Sequence, residues 1–168
     1  MADGTDIDEA FVEEETDLTK LIGILADGVV GATAGLVGTA MMTVVLLIAE
    51  SLNAFSRQAF ADLTQLIGLG AYVPPVTFGF LLFLLGGMVP WPLLFASLRE
   101  YLPGRTWPVS GLFFGTALWT GFALAFYDGA AGVSLALYLV LTLVAHWAYG
   151  VSLGLVFSYF SDRPASLI

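Results

Sequence analysis

The chain has 168 residues, of which 58% are hydrophobic and only 11% charged, with a formal net charge of −9. Its mean hydropathy of +0.90 excludes an ordinary water-soluble domain of this size. Zero cysteines exclude disulfides, thiolate metal sites and iron–sulfur clusters in the chain, and no basic run suggests nucleic acid.

In chain order, the first segment, "MADGTDIDEAFVEEETDLTK", carries eight of the fourteen acidic residues. Residues 1–26 are expected to be a solvated, disordered cytoplasmic tail, the alternative being a docking tail for a basic partner. Four uncharged runs follow: Gly28–Ala49, Leu63–Leu98, Thr106–Tyr127 and Gly129–Ser161. A spanning helix needs about 20 apolar residues. Trimming the runs at proline and polar positions predicts an all-α membrane domain, residues 27–161, with four transmembrane helices at 28–49, 75–98, 107–127 and 134–160. Residues 162–168 form a short tail. The first run follows an acidic segment and no small-x-small cleavage site follows it, so it is read as a retained helix rather than a secretory signal.

Between the first two spans, "ESLNAFSRQAFADLTQLIG" places Leu52, Phe55, Ala59, Leu63 and Leu66 at three- and four-residue spacing. That pattern predicts an amphipathic helix lying in the membrane interface. In the second span, "GGMVPWP" places Pro90 and Pro92 within a helix, where lost backbone hydrogen bonds produce a kink. The kink opens a cavity or simply improves packing. "REYLPGRTWP" then reads as a short hairpin with Pro-Gly turn chemistry.

Span one contains "GLVGTAMMT" (Gly35–Thr43) and span three "GLFFGTALWT" (Gly111–Thr120), while Gly87 and Gly150 hold similar places in spans two and four. Two tandem helical hairpins would explain the match; coincidence among small residues is the alternative. The pairs Gly31/Gly35, Gly111/Gly115 and Gly150/Gly154 have the small-xxx-small spacing that lets helix backbones approach closely.

The single histidine, His146, lies in the uncharged run of the fourth span. Helical spacing puts it on the stripe of Gly150 and Gly154, with Thr142 one turn before it and Tyr149 one turn after. An intramembrane histidine is a functional candidate. Heme ligation lacks a second histidine, a metal site lacks a carboxylate within the span cores, and a proton relay lacks a chain of ionisable groups. The expected role is a polar contact between helices made by His146, Thr142 and Tyr149. No phosphate-cradling loop, nucleophile elbow or His-Glu-x-x-His is present, so neither catalytic residues nor cofactors are assigned.

Of the five basic residues, Lys20, Arg99, Arg105 and Arg163 fall on one side of a four-span topology and Arg57 alone on the other. The positive-inside bias places both termini in the cytoplasm of a multi-pass protein of the cell membrane. One lysine, four arginines and a sequence pI of about 4.1 fit a halophilic archaeon, whose salt-rich cytoplasm favours acidic surfaces.

The spans "AGLVGTAMMT" and "AHWAYGVSLGLVF", with the loop "YLPGR" between them, resemble a family of small four-helix haloarchaeal membrane proteins. Some members of that family are similar to accessory subunits of heme-copper terminal oxidases. The resemblance implies a non-catalytic subunit of a respiratory complex, with the lipid bilayer and other membrane subunits as partners. A self-assembling transporter or channel-like protein is the second reading.

Overall fold

The computed structural model describes residues 4–161, with side chains described from Thr19 onward. The tail expected at 162–168 lies outside the described residues. Four helical segments are long and apolar enough to cross a membrane: Thr19–Ser51, Pro75–Leu98, Trp107–Ala125 and Gly132–Ser161. The last three lie within two residues of their expected bounds, whereas the first begins at Thr19 rather than at residue 28.

Helix α1 runs Gly4–Ser51, so the backbone of residues 4–26 is helical where a disordered tail was expected. Glu, Ala and Leu along the segment favour the helical backbone. The helix stops at Asn53, whose φ of 55° is a left-handed conformation that asparagine tolerates at a helix end. There Ala54 N donates to Ala49 O at 2.8 Å. Arg57 grips Glu50 with two parallel bonds, Nε to Oε1 at 2.7 Å and Nη2 to Oε2 at 2.6 Å. The pair is exposed and adds little stability, but it sets the direction of the chain after α1. It also holds the Arg57 guanidinium above its ordinary pKa.

The connection between the first two spans is shorter and more deeply docked than the predicted stripe. A 3-10 turn at Arg57–Ala59 leads into α2, Phe60–Leu66. Phe55, Phe60, Ala61 and Thr64 are buried, whereas Leu52 and Leu66 of the predicted apolar face are exposed. The Thr64 hydroxyl donates to Pro75 O at 2.6 Å, and the Phe60 backbone lies so close to Gly79 that no Cβ would fit. A periodic pattern alone does not say which side of such a segment faces protein; the Gly79 contact selects Phe60 and Thr64.

The second span is two helices, α3 (Pro75–Met88) and α4 (Pro90–Leu98). They break at Val89, φ −118° and ψ −73°, because Pro90 has no N–H and its ring excludes the carbonyl one turn back. Pro92 has a different role from the expected kink. It sits in the first turn of α4, where its missing N–H costs nothing, and is buried against Gly31 and Gly35 of α1. Helices α5 (Trp107–Ala125) and α6 (Gly132–Ser161) complete the bundle. Gly104, at φ 113°, makes the turn before α5, and the Ser110 hydroxyl donates to Pro103 O at 3.1 Å.

Side by side, the order is α3/α4, α1, α6, α5, each antiparallel to its neighbour. A Cβ at Gly111 would strike the Gly150 carbonyl and one at Gly35 the Gly87 carbonyl. A pair of glycines therefore meets across each hairpin. Gly115 abuts the His146 carbonyl and Gly154 the Trp107 carbonyl, while Gly31 makes only ordinary contact, 3.7 Å from Pro92. All six predicted packing glycines lie between helices of this chain. Gly38 and Gly87, which face Tyr149 and Thr39, join them.

Candidate functional site

The row of helices does not close on itself. Helix α4 reaches α5 through rings at one end, Phe95 lying 5.9 Å from Trp107 and 5.2 Å from Phe114. At the other end Phe55 touches both Phe60 and Phe122, at 5.8 and 6.0 Å. Between these two aromatic seals lies a cavity of about 590 Å³. Helices α1 and α6 form its floor, and its mouth, where exposed Leu66 and Trp91 stand, opens between α3/α4 and α5. That volume falls in the range of small-molecule sites, about 300–1,000 Å³.

Three polar side chains of the floor and wall are buried: Thr39, His146 and Tyr149, with exposures of 1%, 4% and 2%. Their hydrogen bonds differ. Tyr149 reaches across to the second span, its hydroxyl donating to Gly87 O at 2.8 Å, next to the proline break. Thr142 also bridges helices: its hydroxyl accepts from Trp119 Nε1 at 3.0 Å and donates to Tyr138 O at 2.6 Å. His146 does not bridge helices. Its Nδ1 lies 2.8 Å from Thr142 O in its own helix. A carbonyl only accepts, so Nδ1 carries the proton and Nε2 keeps its lone pair. The ring packs edge-on against Phe122, centroids 4.8 Å apart.

The expectation of an interhelical histidine thus gives way to an intrahelical one, because Gly115 brings the α5 backbone against the His146 carbonyl and leaves the imidazole beside the cavity. Helix ties that the sequence reading did not name come from Trp147 Nε1 to Thr116 Oγ1 at 2.9 Å and Tyr138 OH to Ala123 O at 3.1 Å. Trp119, Trp147 and Tyr138 carry both an apolar body and one donor, which is the available signal for such a role in an apolar helix. Among the described residues no group of three or more His, Asp or Glu side chains could hold a metal ion.

Tyr149→Phe should leave the Gly87 carbonyl without its donor in an apolar interior. The expected loss is about 1 kcal/mol, read as a lower midpoint of unfolding in mixed micelles with the fold otherwise kept.

Four antiparallel apolar helices, tied by indole and phenol donors and locked by glycines, define a multi-pass helical membrane protein. The chain belongs to a family of unknown function, DUF6789, whose model matches residues 25–168. No curated protein and no solved structure matches it.

Proposed function

We propose that the chain is a non-catalytic integral membrane subunit that supports a larger membrane complex by helix packing, a terminal oxidase of a halophilic archaeon being the partner that the sequence resemblance suggests. One observation carries the reading. Gly31 of α1 lies level with Phe157, one turn before Ser161, the last described residue of α6. The part of α1 before Asp27 is left largely uncovered by the described helices. There Leu21, Ile22, Ile24 and Leu25 are 55–69% exposed and, at 3.6 residues per turn, share one broad apolar face of the helix.

Lipid alone is a poor cover for this arm. The span Thr19–Ser51 has 33 residues, about 50 Å of helix, against a hydrocarbon core of about 30 Å. Asp27 favours the interface, so the leucines and isoleucines before it sit past the hydrocarbon, where apolar surface is stabilised by burial against protein. A partner's helices rising from the same interface would bury them. The acidic residues before the arm favour a partner with basic residues near that interface.

The orientation proposed puts this arm and the Arg99–Arg105 loop in the cytoplasm. Single cysteines test it cleanly, since the chain has none. Cysteine at exposed Gln58 should react with an impermeant maleimide in intact cells, whereas cysteine at exposed Glu100 should react only after lysis. The reverse pattern inverts the topology. The subunit reading itself is tested by copurification and by the arm substitutions described in the Discussion.

A further inference from the structure

Resting on the subunit reading and deepening it, we infer that the arm of α1 pairs with a basic amphipathic helix of the partner, as a short coiled coil outside the bilayer. The first observation is a register. Ile7, Phe11, Glu14, Leu18, Leu21 and Leu25 recur at alternating spacings of four and three residues, on a helix whose backbone is continuous from Gly4. Such spacing sets residues on one face as a heptad seam. Glu9, Thr16, Gly23 and Asp27 fall on the opposite side. Of the large apolar residues between Gly4 and Asp27, only Val12 falls there with them.

The seam also continues an interface already present. The same alternation runs on through Gly28, Ala32 and Gly35, and Gly35 lies against Gly87, Met88 and Pro92. The arm's apolar face therefore prolongs the face by which α1 packs on α3/α4. Past the described helices it is uncovered, Leu21 being 55% and Leu25 64% exposed. The residue type changes along it from glycine to leucine. Glycine suits lipid, where helices associate by close backbone packing. Leucine suits water, where helices associate by burying apolar surface.

Charge selects the occupant. Asp8, Glu15 and Asp17 flank the seam, with Ile22 and Ile24 taking their place nearer the membrane. Flanking charges decide which helices pair. Glu14 lies on the seam itself, where a carboxylate is costly to bury unless a base faces it. A second copy would set acid against acid at every flank, which disfavours self-pairing. Helices that lie flat on a bilayer carry Lys and Arg on the polar face, and residues 1–18 have eight acids and no base. The occupant that fits is a helix with apolar residues at heptad spacing and Lys or Arg beside them.

The test uses the full-length chain in nanodiscs of neutral lipid, with empty nanodiscs as the blank. The probes are two synthetic peptides of about four heptads with Ile and Leu on the seam. One carries lysine beside the seam and the other glutamate. Binding is read from the fluorescence anisotropy of the labelled peptide. The lysine peptide should bind about tenfold or more tightly than the glutamate peptide, and its affinity should fall as salt rises. Leu21→Ser should weaken it about tenfold. Gly23→Ala should not, since an added Cβ on that side meets nothing within 4 Å. Asp8→Lys, Glu15→Lys and Asp17→Lys together should invert the preference between the peptides. No binding of either peptide, equal binding of both, or an unchanged preference in the charge-reversed chain would each overturn the inference. Copurification of a partner with a chain indifferent to both peptides would overturn the pairing and leave the subunit reading standing.

Discussion

Gly150→Ala is expected to cost about 3 kcal/mol or more, the upper range for overpacking, and to leave little folded protein in the membrane. The reason lies in both backbones. A methyl group at residue 150 would run into the Gly111 carbonyl oxygen and come within 3.2 Å of the Gly115 backbone nitrogen. Neither is the free end of a flexible side chain, so relief requires α5 and α6 to part along their length. In lipid the association of helices depends on this packing rather than on expulsion from water, and parting the helices loses more than one contact. It would also disturb the Trp119–Thr142 and Trp147–Thr116 bonds, which span the same pair. Gly31→Ala is the internal control. There the new methyl lies 3.7 Å from Pro92, an ordinary contact, and the change should fall within about 0.5 kcal/mol. The ratio of folded to aggregated protein after extraction, together with unfolding midpoints in mixed micelles, separates the two variants.

The same glycines show what could be read in the sequence and what could not. The span count and the limits of the last three spans were legible because bilayer thickness imposes a length on every apolar run. The recurrence of Gly35/Gly87 and Gly111/Gly150 was legible in the sequence, and Gly35 lies against Gly87 and Gly111 against Gly150. The use of those glycines was not: small residues look alike whether they meet a helix of the same chain or of another. Here they meet this chain's own helices, so the glycine stripe is not a surface for another chain. The extent of α1 was hidden for a related reason. The acidic composition of residues 1–26 reads as solvated chain, and solvation does not distinguish helix from coil.

The candidate site was partly visible. His146 stood out as the lone imidazole in an uncharged run, and Thr142 and Tyr149 lay on its face by helical spacing. The direction of each hydrogen bond was not visible, since Thr142 O in the same helix and groups on a neighbouring helix are equally within reach of a histidine. Thr39 was part of the repeat and passed as an ordinary small residue. Only its place among the cavity-lining residues distinguishes it.

The second large effect is expected at the arm of α1. Leu21→Glu combined with Leu25→Glu should leave the bundle folded, because those side chains make no part of its core and the glycine interlocks begin ten residues later. Against a partner, each substitution replaces buried apolar surface, a loss of about 1.5–3 kcal/mol per site, and adds a carboxylate that is costly to bury. Recovery of the assembled complex should fall at least tenfold, while the amount of folded subunit in the membrane stays near that of the unaltered chain. A fall in both would instead place the arm within the fold of the subunit.

The central claim is that this chain works as part of a larger membrane assembly, and its most direct test is isolation of the tagged full-length protein from its own membranes in a mild detergent, followed by size separation with absorbance recorded across the visible range. The account predicts that it travels with a larger membrane protein in constant ratio, with heme absorbance in the same fraction. Elution of the chain alone, as a monomer or as a homo-oligomer free of any other protein, would contradict it.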